Sequence, residues 1–216
     1  DSLDNLILIG DGIGISLFTF VAGCTTSETT FITANLTGTL SGAITTHFCH
    51  LENLSGIGCT TSESNILECE IESGTLTMRA DNNKKIHFSR CESGAPGTST
   101  PPTFDLNGSI GNVTFHKFAG TAQISNMTQN LQMSFDTSGG AVTINASCTN
   151  GTITIGGDTK LIDNSGVGCD VINNTSHKLV WDHDSTIFIP DSMGSIQRRT
   201  AYHGVISVDV NGGVAG

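Results

Sequence analysis

The chain has 216 residues, of which 13% are charged, and its formal net charge is −11, with 9 basic and 20 acidic residues. This balance excludes the basic surface that sequence-independent nucleic-acid binding needs, and it disfavours binding to an anionic membrane. No apolar run approaches the roughly 18 residues that a membrane-spanning helix requires, so membrane insertion is not expected.

Short apolar segments recur along the chain between Gly, Asn, Asp and Ser, and no amphipathic helix is predicted before residue 185. Their lengths and their bounding residues are typical of β-strands. In chain order they are Leu6–Ile9, Leu17–Phe20, Phe31–Thr33, Ile66–Cys69, Ile86–Phe88, Val113–Phe115, Leu131–Phe135, Val142–Ile144 and Ile153–Ile155. A polar chain with one Trp and one Tyr favours a thin core repeated along an axis over a large globular core.

A cysteine or a small polar residue returns in similar local sequence at nearly regular intervals. The six residues are Cys49, Cys69, Cys91, Asn126, Cys148 and Cys169. Most intervals are roughly 20–22 residues, which is the length of one β-helix coil. The longer interval before Asn126 contains the Gly- and Pro-rich insertion 94–102. The sequence therefore predicts an all-β, right-handed, single-stranded parallel β-helix in which these six residues form a core ladder. An immunoglobulin-like sandwich is the competing all-β fold.

The seven cysteines include no CxxC pair, so neither a zinc knuckle nor a thioredoxin-like site is expected. Two interpretations stay open, namely small buried apolar side chains and one or two disulfides. We expect Asn and Gly at the corners between strands, because both tolerate positive φ. The Asn candidates are Asn53, Asn65, Asn107, Asn126 and Asn164.

The C-terminal part of the chain differs from the rest. We expect the β-helix to occupy residues 1–176, and residues 177–216 to form a capping or linking segment that leads to a further repeat. A short helix is predicted near 193–202 and a strand from Gly204. Both ends of the chain are typical of cuts through a longer repeating protein.

One stretch carries a family resemblance. The run Cys148-Thr-Asn-Gly-Thr-Ile-Thr-Ile-Gly-Gly, followed by Leu161-Ile-Asp-Asn-Ser-Gly, resembles tailed-bacteriophage virion proteins with repetitive parallel β-helix domains, such as tail fibres and tailspikes. The similarity is specific over residues 142–169, extends as a pattern over 3–175 and is lost over 177–202. It implies a structural or adhesive virion component, assembled in the bacterial cytoplasm as a trimer and contacting other virion proteins.

The inserted loop is the best candidate for receptor contact, because loops on a rigid scaffold carry binding residues. Its candidate residues are Gly94, Pro96, Thr98, Pro101 and Pro102, with a host surface glycan as a partner. Two alternatives stay open: a secreted prokaryotic surface filament or adhesin, and a glycan-degrading hydrolase or lyase. Nine N-x-Ser/Thr sequons would support the filament if glycosylated, although corner Asn followed by strand Thr also produces them by chance.

Few residues suggest chemistry, and we expect no enzymatic activity and no cofactor. Asp182 and Asp184 flank His183 at the spacing of one strand face, about 7 Å apart, but a solvated turn is the simpler interpretation. Glu68, Glu70 and Glu72 alternate in the same way and predict an exposed acidic stripe. His47 and His87 occupy similar local sequence and would form either a histidine ladder or a metal site.

Overall fold

The structure is a computed structural model that describes residues 2–12, 15–59, 62–72, 74–81, 84–93, 100–175, 207–208 and 214–215. Regular structure in these ranges consists of strands, and none of the described residues forms a helix long and apolar enough to cross a bilayer. The strands are β1 (Ser2–Asp4), β2 (Ile7–Ile9), β3 (Leu17–Ile32), β4 (Asn35–His47), β5 (His50–Cys59), β6 (Ser64–Leu67), β7 (Glu70–Ile71), β8 (Thr75–Ala80), β9 (Lys85–Ser89), β10 (Glu92–Ser93), β11 (Thr103–Asp105), β12 (Asn112–Ala119), β13 (Ala122–Ser125), β14 (Gln132–Ile144), β15 (Gly151–Asp163), β16 (Cys169–Thr175), β17 (Ser207–Val208) and β18 (Val214–Ala215).

Strands β1 to β16 stack in parallel as a β-solenoid of about eight turns. Met133 of β14, for example, lies opposite Val113 of β12 on one side and opposite Ile153 of β15 on the other. Each of these neighbours is one turn of chain away, so the sheet runs along the axis of the solenoid. The parallel β-helix is therefore confirmed, and the antiparallel sandwich is excluded.

The turns of the solenoid differ in length. Leu36 pairs with Leu51, whereas Thr75 pairs with Thr103, so the second of these turns is nearly twice as long as the first. The predicted period holds in the middle of the chain, as in the pairing of Ile57 with Met78. Parallel pairing fixes only the strand residues, and the corners between strands absorb the differences.

Side chains alternate between the interior and the solvent along each strand, as the pleat requires. In β15, Ile153 and Ile155 are buried, and Thr152 and Thr154 between them are partly exposed. The interior is narrow, so equivalent residues of successive turns pack directly on one another.

Five phenylalanines form an aromatic stack inside the solenoid. The rings of Phe88 and Phe115 lie 4.4 Å apart at 8° to each other, and those of Phe115 and Phe135 lie 4.4 Å apart at 26°. Phe104 and Phe118 contact Phe115 edge to face. Aromatic contacts of this kind add to the burial of apolar area, so these five rings stabilise the region where three turns meet.

One corner of the solenoid repeats the same backbone conformation in five turns. A non-glycine residue with φ between 51° and 54° directly precedes a buried residue there, at Thr33, Phe48, Glu68, Arg90 and Lys117. The backbone N–H of Phe48 donates to Leu67 O, and that of Glu68 donates to Ser89 O. This conformation costs on the order of 1–3 kcal/mol per residue, which the hydrogen bonds to the next turn offset.

Asn and Gly corners were also expected, and several occur. Asn53, Asn107 and Asn126 have positive φ, as do Gly56 and Gly151. Asn65, in contrast, lies inside β6. The corner that repeats from Thr33 to Lys117 contains neither Asn nor Gly at its positive-φ position, so the content of Asn and Gly does not reveal it.

Outside the solenoid, β17 and β18 pair as a two-stranded antiparallel ribbon. The strand expected from Gly204 is thus present over Ser207–Val208. The helix expected near 193–202 lies outside the described residues, as does most of the predicted segment 177–216.

Candidate functional site

Three of the six predicted ladder residues stack on one another. His50 pairs with Glu70 and Glu70 with Glu92, which places the preceding residues Cys49, Cys69 and Cys91 in one column. All three cysteines are buried, with Cys49 fully so, and their thiols are free. The column continues to Ala34 before Cys49 and to Phe118 after Cys91, because Asn35 pairs with His50 and Glu92 with Ala119.

The other three residues lie elsewhere in the solenoid, which corrects the six-residue ladder. Asn126 follows β13 in a half-buried corner with φ 58°. Cys148 is buried in the turn after β14, where its thiol donates to Ile124 O at 3.5 Å. Cys169 begins β16 and pairs with Gly151. The insertion lengthens one turn of the ladder by less than the sequence suggested, so the residue opposite Cys91 is Phe118 and not Asn126.

Hydrogen bonds hold the thiols of the ladder in place. The backbone N–H of Cys49 donates to Cys69 Sγ at 3.4 Å, and Thr46 Oγ1 lies 3.3 Å from the same sulfur. The thiol of Cys91 donates to Ile66 O at 3.3 Å. Each thiol therefore has a hydrogen-bond partner in its own turn or an adjacent one, as a buried polar group in a narrow core needs.

The surroundings of Cys49 and Cys69 disfavour the thiolate, whereas the hydrogen bond with Cys69 lowers the pKa of Cys91. The hydrogen bond with Cys69, together with burial, raises the pKa of Cys49 far above its ordinary value. The contact with Cys49 alone would lower the pKa of Cys69, but the hydrogen bond with Cys91 and burial outweigh it and raise this pKa to about 12. Nucleophilic chemistry needs a thiolate, so Cys49 and Cys69 act as packing residues.

The predicted receptor loop connects β10 to β11. Gly94, Pro96 and Thr98 lie outside the described residues. Pro101 is half-buried and Pro102 is buried, and Pro102 O accepts a hydrogen bond from the backbone N–H of Gln123. Pro102 therefore anchors the end of the loop on the adjacent turn, which corrects its expected role as a contact residue, whereas contact by the half-buried Pro101 stays a prediction.

The glutamates do not form the predicted stripe. Glu68 lies at the corner between β6 and β7 and is paired with Arg90 of the next turn. Glu70 begins β7, and Glu72 Oε2 lies 3.5 Å from His50 Nε2 of the previous turn. The corner at Glu68 breaks the alternation on which the prediction relied. Asp182, His183 and Asp184 lie outside the described residues.

The histidines lie in two different columns. His47 pairs with Leu67, whereas His87 pairs with Asn65 and Thr114, so they do not form the predicted ladder. His87 Nδ1 lies 2.7 Å from Thr114 Oγ1. The pKa of His87 is lowered, mainly by burial and to a smaller extent by the nearby His116. Within the described part of the chain, no group of three or more His, Cys, Asp or Glu side chains is arranged to hold a metal ion.

The sequence reasoning missed a set of exposed apolar side chains in the first turn. Ile7 and Ile9 in β2, Ile15, and Leu17 and Val21 in β3 are each 64–73% exposed. The signal was available in Leu6-Ile7-Leu8-Ile9, because an unbroken apolar run is typical of a strand covered on both faces.

Comparisons with models of protein families, with curated proteins and with solved structures found no match. The functional proposals below therefore depend on the geometry of this chain and on the resemblance of residues 142–169.

Proposed function

We propose that the chain is a structural and adhesive component of a bacteriophage virion, in a tail fibre, a tailspike or another appendage. Its partners are other copies of itself, as a trimer, and other virion proteins. A glycan on the host surface is the proposed receptor, and the proposed location is the virion.

The observation that carries this proposal is the continuous stacking of the solenoid. Each turn is hydrogen-bonded to the next along its length, as in the unbroken pairing of Gly151–Gly157 with Cys169–Thr175. Aromatic rings stack through the interior over three turns. Such stacking leaves free strand edges only at the two ends, which favours a stiff element that displays loops along its sides.

The stretch that resembles phage proteins forms the two turns around β15. Asn150 Oδ1 accepts a hydrogen bond from the backbone N–H of Gly151 at 2.8 Å, just before the strand. After the strand, Asp163 Oδ1 accepts from the backbone N–H of Ser165 at 2.9 Å and from its hydroxyl at 2.6 Å. Both Asn150 and Asp163 thus shape the backbone, which supports a structural role for the motif.

Receptor contact is proposed for the inserted loop between β10 and β11. The loop is held at its far end by the buried Pro102 and by Thr103, whose backbone N–H donates to Gly74 O. The last residues of the insertion are therefore fixed against the neighbouring turns. Binding residues are commonly carried by loops on such scaffolds.

A cell-surface filament or adhesin is the second candidate, and the positions of several sequons favour it. Asn53, Asn107, Asn112 and Asn150 have exposed side chains, so glycans at these positions would fit outside the solenoid. Asn173, in contrast, is buried, and its Oδ1 accepts from the backbone N–H of Thr175. Modification of the exposed subset alone would be the signature of this candidate.

The deciding experiment is mass spectrometry of the native protein, with and without chemical crosslinking. A trimer of unmodified chains with free thiols would support the virion component. An open-ended polymer of chains glycosylated at exposed sequons would overturn it in favour of the surface filament. Trimers degrading a host polysaccharide would instead support the third alternative, the glycan-degrading enzyme.

A further inference from the structure

A set of exposed apolar side chains, called the collar here, lies in the first turn of the solenoid. We define it as Ile7, Ile9, Ile15, Leu17 and Val21, which are five of the nine exposed large hydrophobic side chains among the described residues. Ile7 and Ile9 flank the inward-facing Leu8, which packs against the core, so both point away from it. The collar is thus a lateral surface of the solenoid, and stacking of turns along the axis does not cover it.

At two collar positions, Ile7 and Leu17, later turns carry polar residues, whereas Ile9 pairs with the half-buried Ile32. Ile7 pairs with Thr30, and Leu17 pairs with Asn35. One turn further, the same positions are occupied by Thr45 and His50. Because later turns place polar residues at the positions of Ile7 and Leu17, the β-helix itself does not require isoleucine and leucine there. Concentrated exposed apolar side chains mark interaction surfaces.

The charges near the collar are all of one sign. No Lys or Arg occurs before Arg79, and nine of the 20 acidic residues precede it. Asp4, Asp11 and Glu28 are exposed on the first two turns, close in sequence or register to the collar. A second copy of this chain would bring acidic residues against acidic residues, which costs free energy at an interface.

We propose that the collar is the docking surface for a different protein, whose contacting segment carries large apolar side chains flanked by Lys or Arg. The apolar side chains cover Ile7, Ile9 and Leu17. The cationic groups lie against the acidic residues at the edge, where they speed association and select the partner. This inference goes beyond the proposed function and does not depend on it.

Binding of two synthetic peptides of equal length tests the proposal. One peptide alternates Val with Lys and the other alternates Val with Glu. The first should bind the native protein, more weakly as salt rises, and the second should not bind. The triple variant Ile7→Thr, Ile9→Thr, Leu17→Asn should bind the Lys peptide about tenfold or more weakly, a loss of about 1.4 kcal/mol or more.

Val167→Thr is the matched control, because Val167 is a fully exposed apolar residue outside the collar. It should leave binding unchanged, and unchanged urea midpoints would verify that all variants are folded. Equal binding of the Lys peptide to the native protein and the collar variant would overturn the proposal, and so would no binding to either. Sedimentation showing self-association that the collar variant abolishes would also overturn it, since the occupant would then be a second copy.

Discussion

Cys69 lies directly over Cys49 in the interior, and the backbone N–H of Cys49 donates a hydrogen bond to Cys69 Sγ across 3.4 Å. A backbone donor of one turn is thereby satisfied by a side chain of the next. Stacked cysteines in this solenoid therefore contribute hydrogen bonds as well as packing. The thiol is small enough to pack in the narrow interior and can also accept a hydrogen bond.

We expect Cys49 and Cys69 to be unreactive in the folded protein. Both are buried and both pKa values are raised, so almost no thiolate is accessible to an alkylating reagent. Treatment with N-ethylmaleimide followed by peptide mass spectrometry should show modification only after unfolding in urea. The variant Val167→Cys supplies an exposed thiol as a positive control. Rapid labelling of Cys69 without urea would contradict the buried ladder.

The ladder also predicts a loss of stability in alkali. The pKa of Cys69 is 9.0 in the unfolded chain and about 12 in the folded protein. Between these two pH values, the unfolded chain therefore binds fewer protons than the folded protein. The contribution is fully present below pH 9 and is lost as pH rises toward 12. The slope is about 1.4 kcal/mol per pH unit for each proton by which the states differ.

Urea unfolding as a function of pH checks this expectation. The double variant Cys49→Ala, Cys69→Ala lacks both titrating groups, so its free energy of unfolding should fall less steeply above pH 9 than that of the native protein. Parallel pH profiles for the two proteins would refute the assignment of the alkaline loss to these thiols.

Phe115 is the residue whose truncation should cost the most stability. It stacks between Phe88 and Phe135 and also contacts Phe104 and Phe118. Phe115→Ala leaves a cavity in the aromatic stack and should lower the free energy of unfolding by about 3–5 kcal/mol.

The control for this change is Phe48→Ala, because the Phe48 side chain is half exposed at a corner. Its cost should stay under about 1 kcal/mol. Equal losses for the two variants, measured by urea unfolding, would argue against a dominant contribution of the stack.

Two adjacent glycines should respond differently to alanine. Gly157 has φ 87°, and a Cβ there would collide with the carbonyl oxygen of Thr137 in the neighbouring turn. Gly157→Ala should destabilise the protein by about 1–2 kcal/mol from conformation alone, with the collision adding to this.

Gly156 is the internal control, because a Cβ on it meets nothing closer than Asp136 Oδ1 at 3.8 Å. Gly156→Ala should be neutral or should stabilise by up to about 1 kcal/mol, since alanine has fewer unfolded conformations. If both variants unfold at the same urea concentration, the close approach at Gly157 is not a constraint on the sequence.

The fold was predictable because the strand pattern and the return of cysteine reflect one physical cause. Side chains of successive turns share a narrow interior, so Cys49, Cys69 and Cys91 recur at the spacing of one turn. Beyond Cys91 the spacing failed as a guide. The insertion before Thr103 changes the length of the turn, and the sequence does not reveal how much of it is corner and how much is strand.

The surfaces were harder to predict than the core. At the corners formed by Phe48, Glu68 and Arg90, hydrogen bonds between turns override the preference of these residues for negative φ. Local propensity therefore gave no signal there. The run Leu6–Ile9 did carry a local signal for the exposure of Ile7, whereas the exposure of Leu17 depends on the packing of the strand and has no such signal.

The unequal turn lengths have a consequence for how this protein can change. Register on either side of the insertion is set by the pairing of Glu92 with Glu70 and of Thr103 with Thr75, not by the number of residues between them. The entropy of closing a connection between two fixed strands grows only slowly with its length. The sequence between Ser93 and Thr103 should therefore be replaceable by other sequences without a change in the strand register of the solenoid.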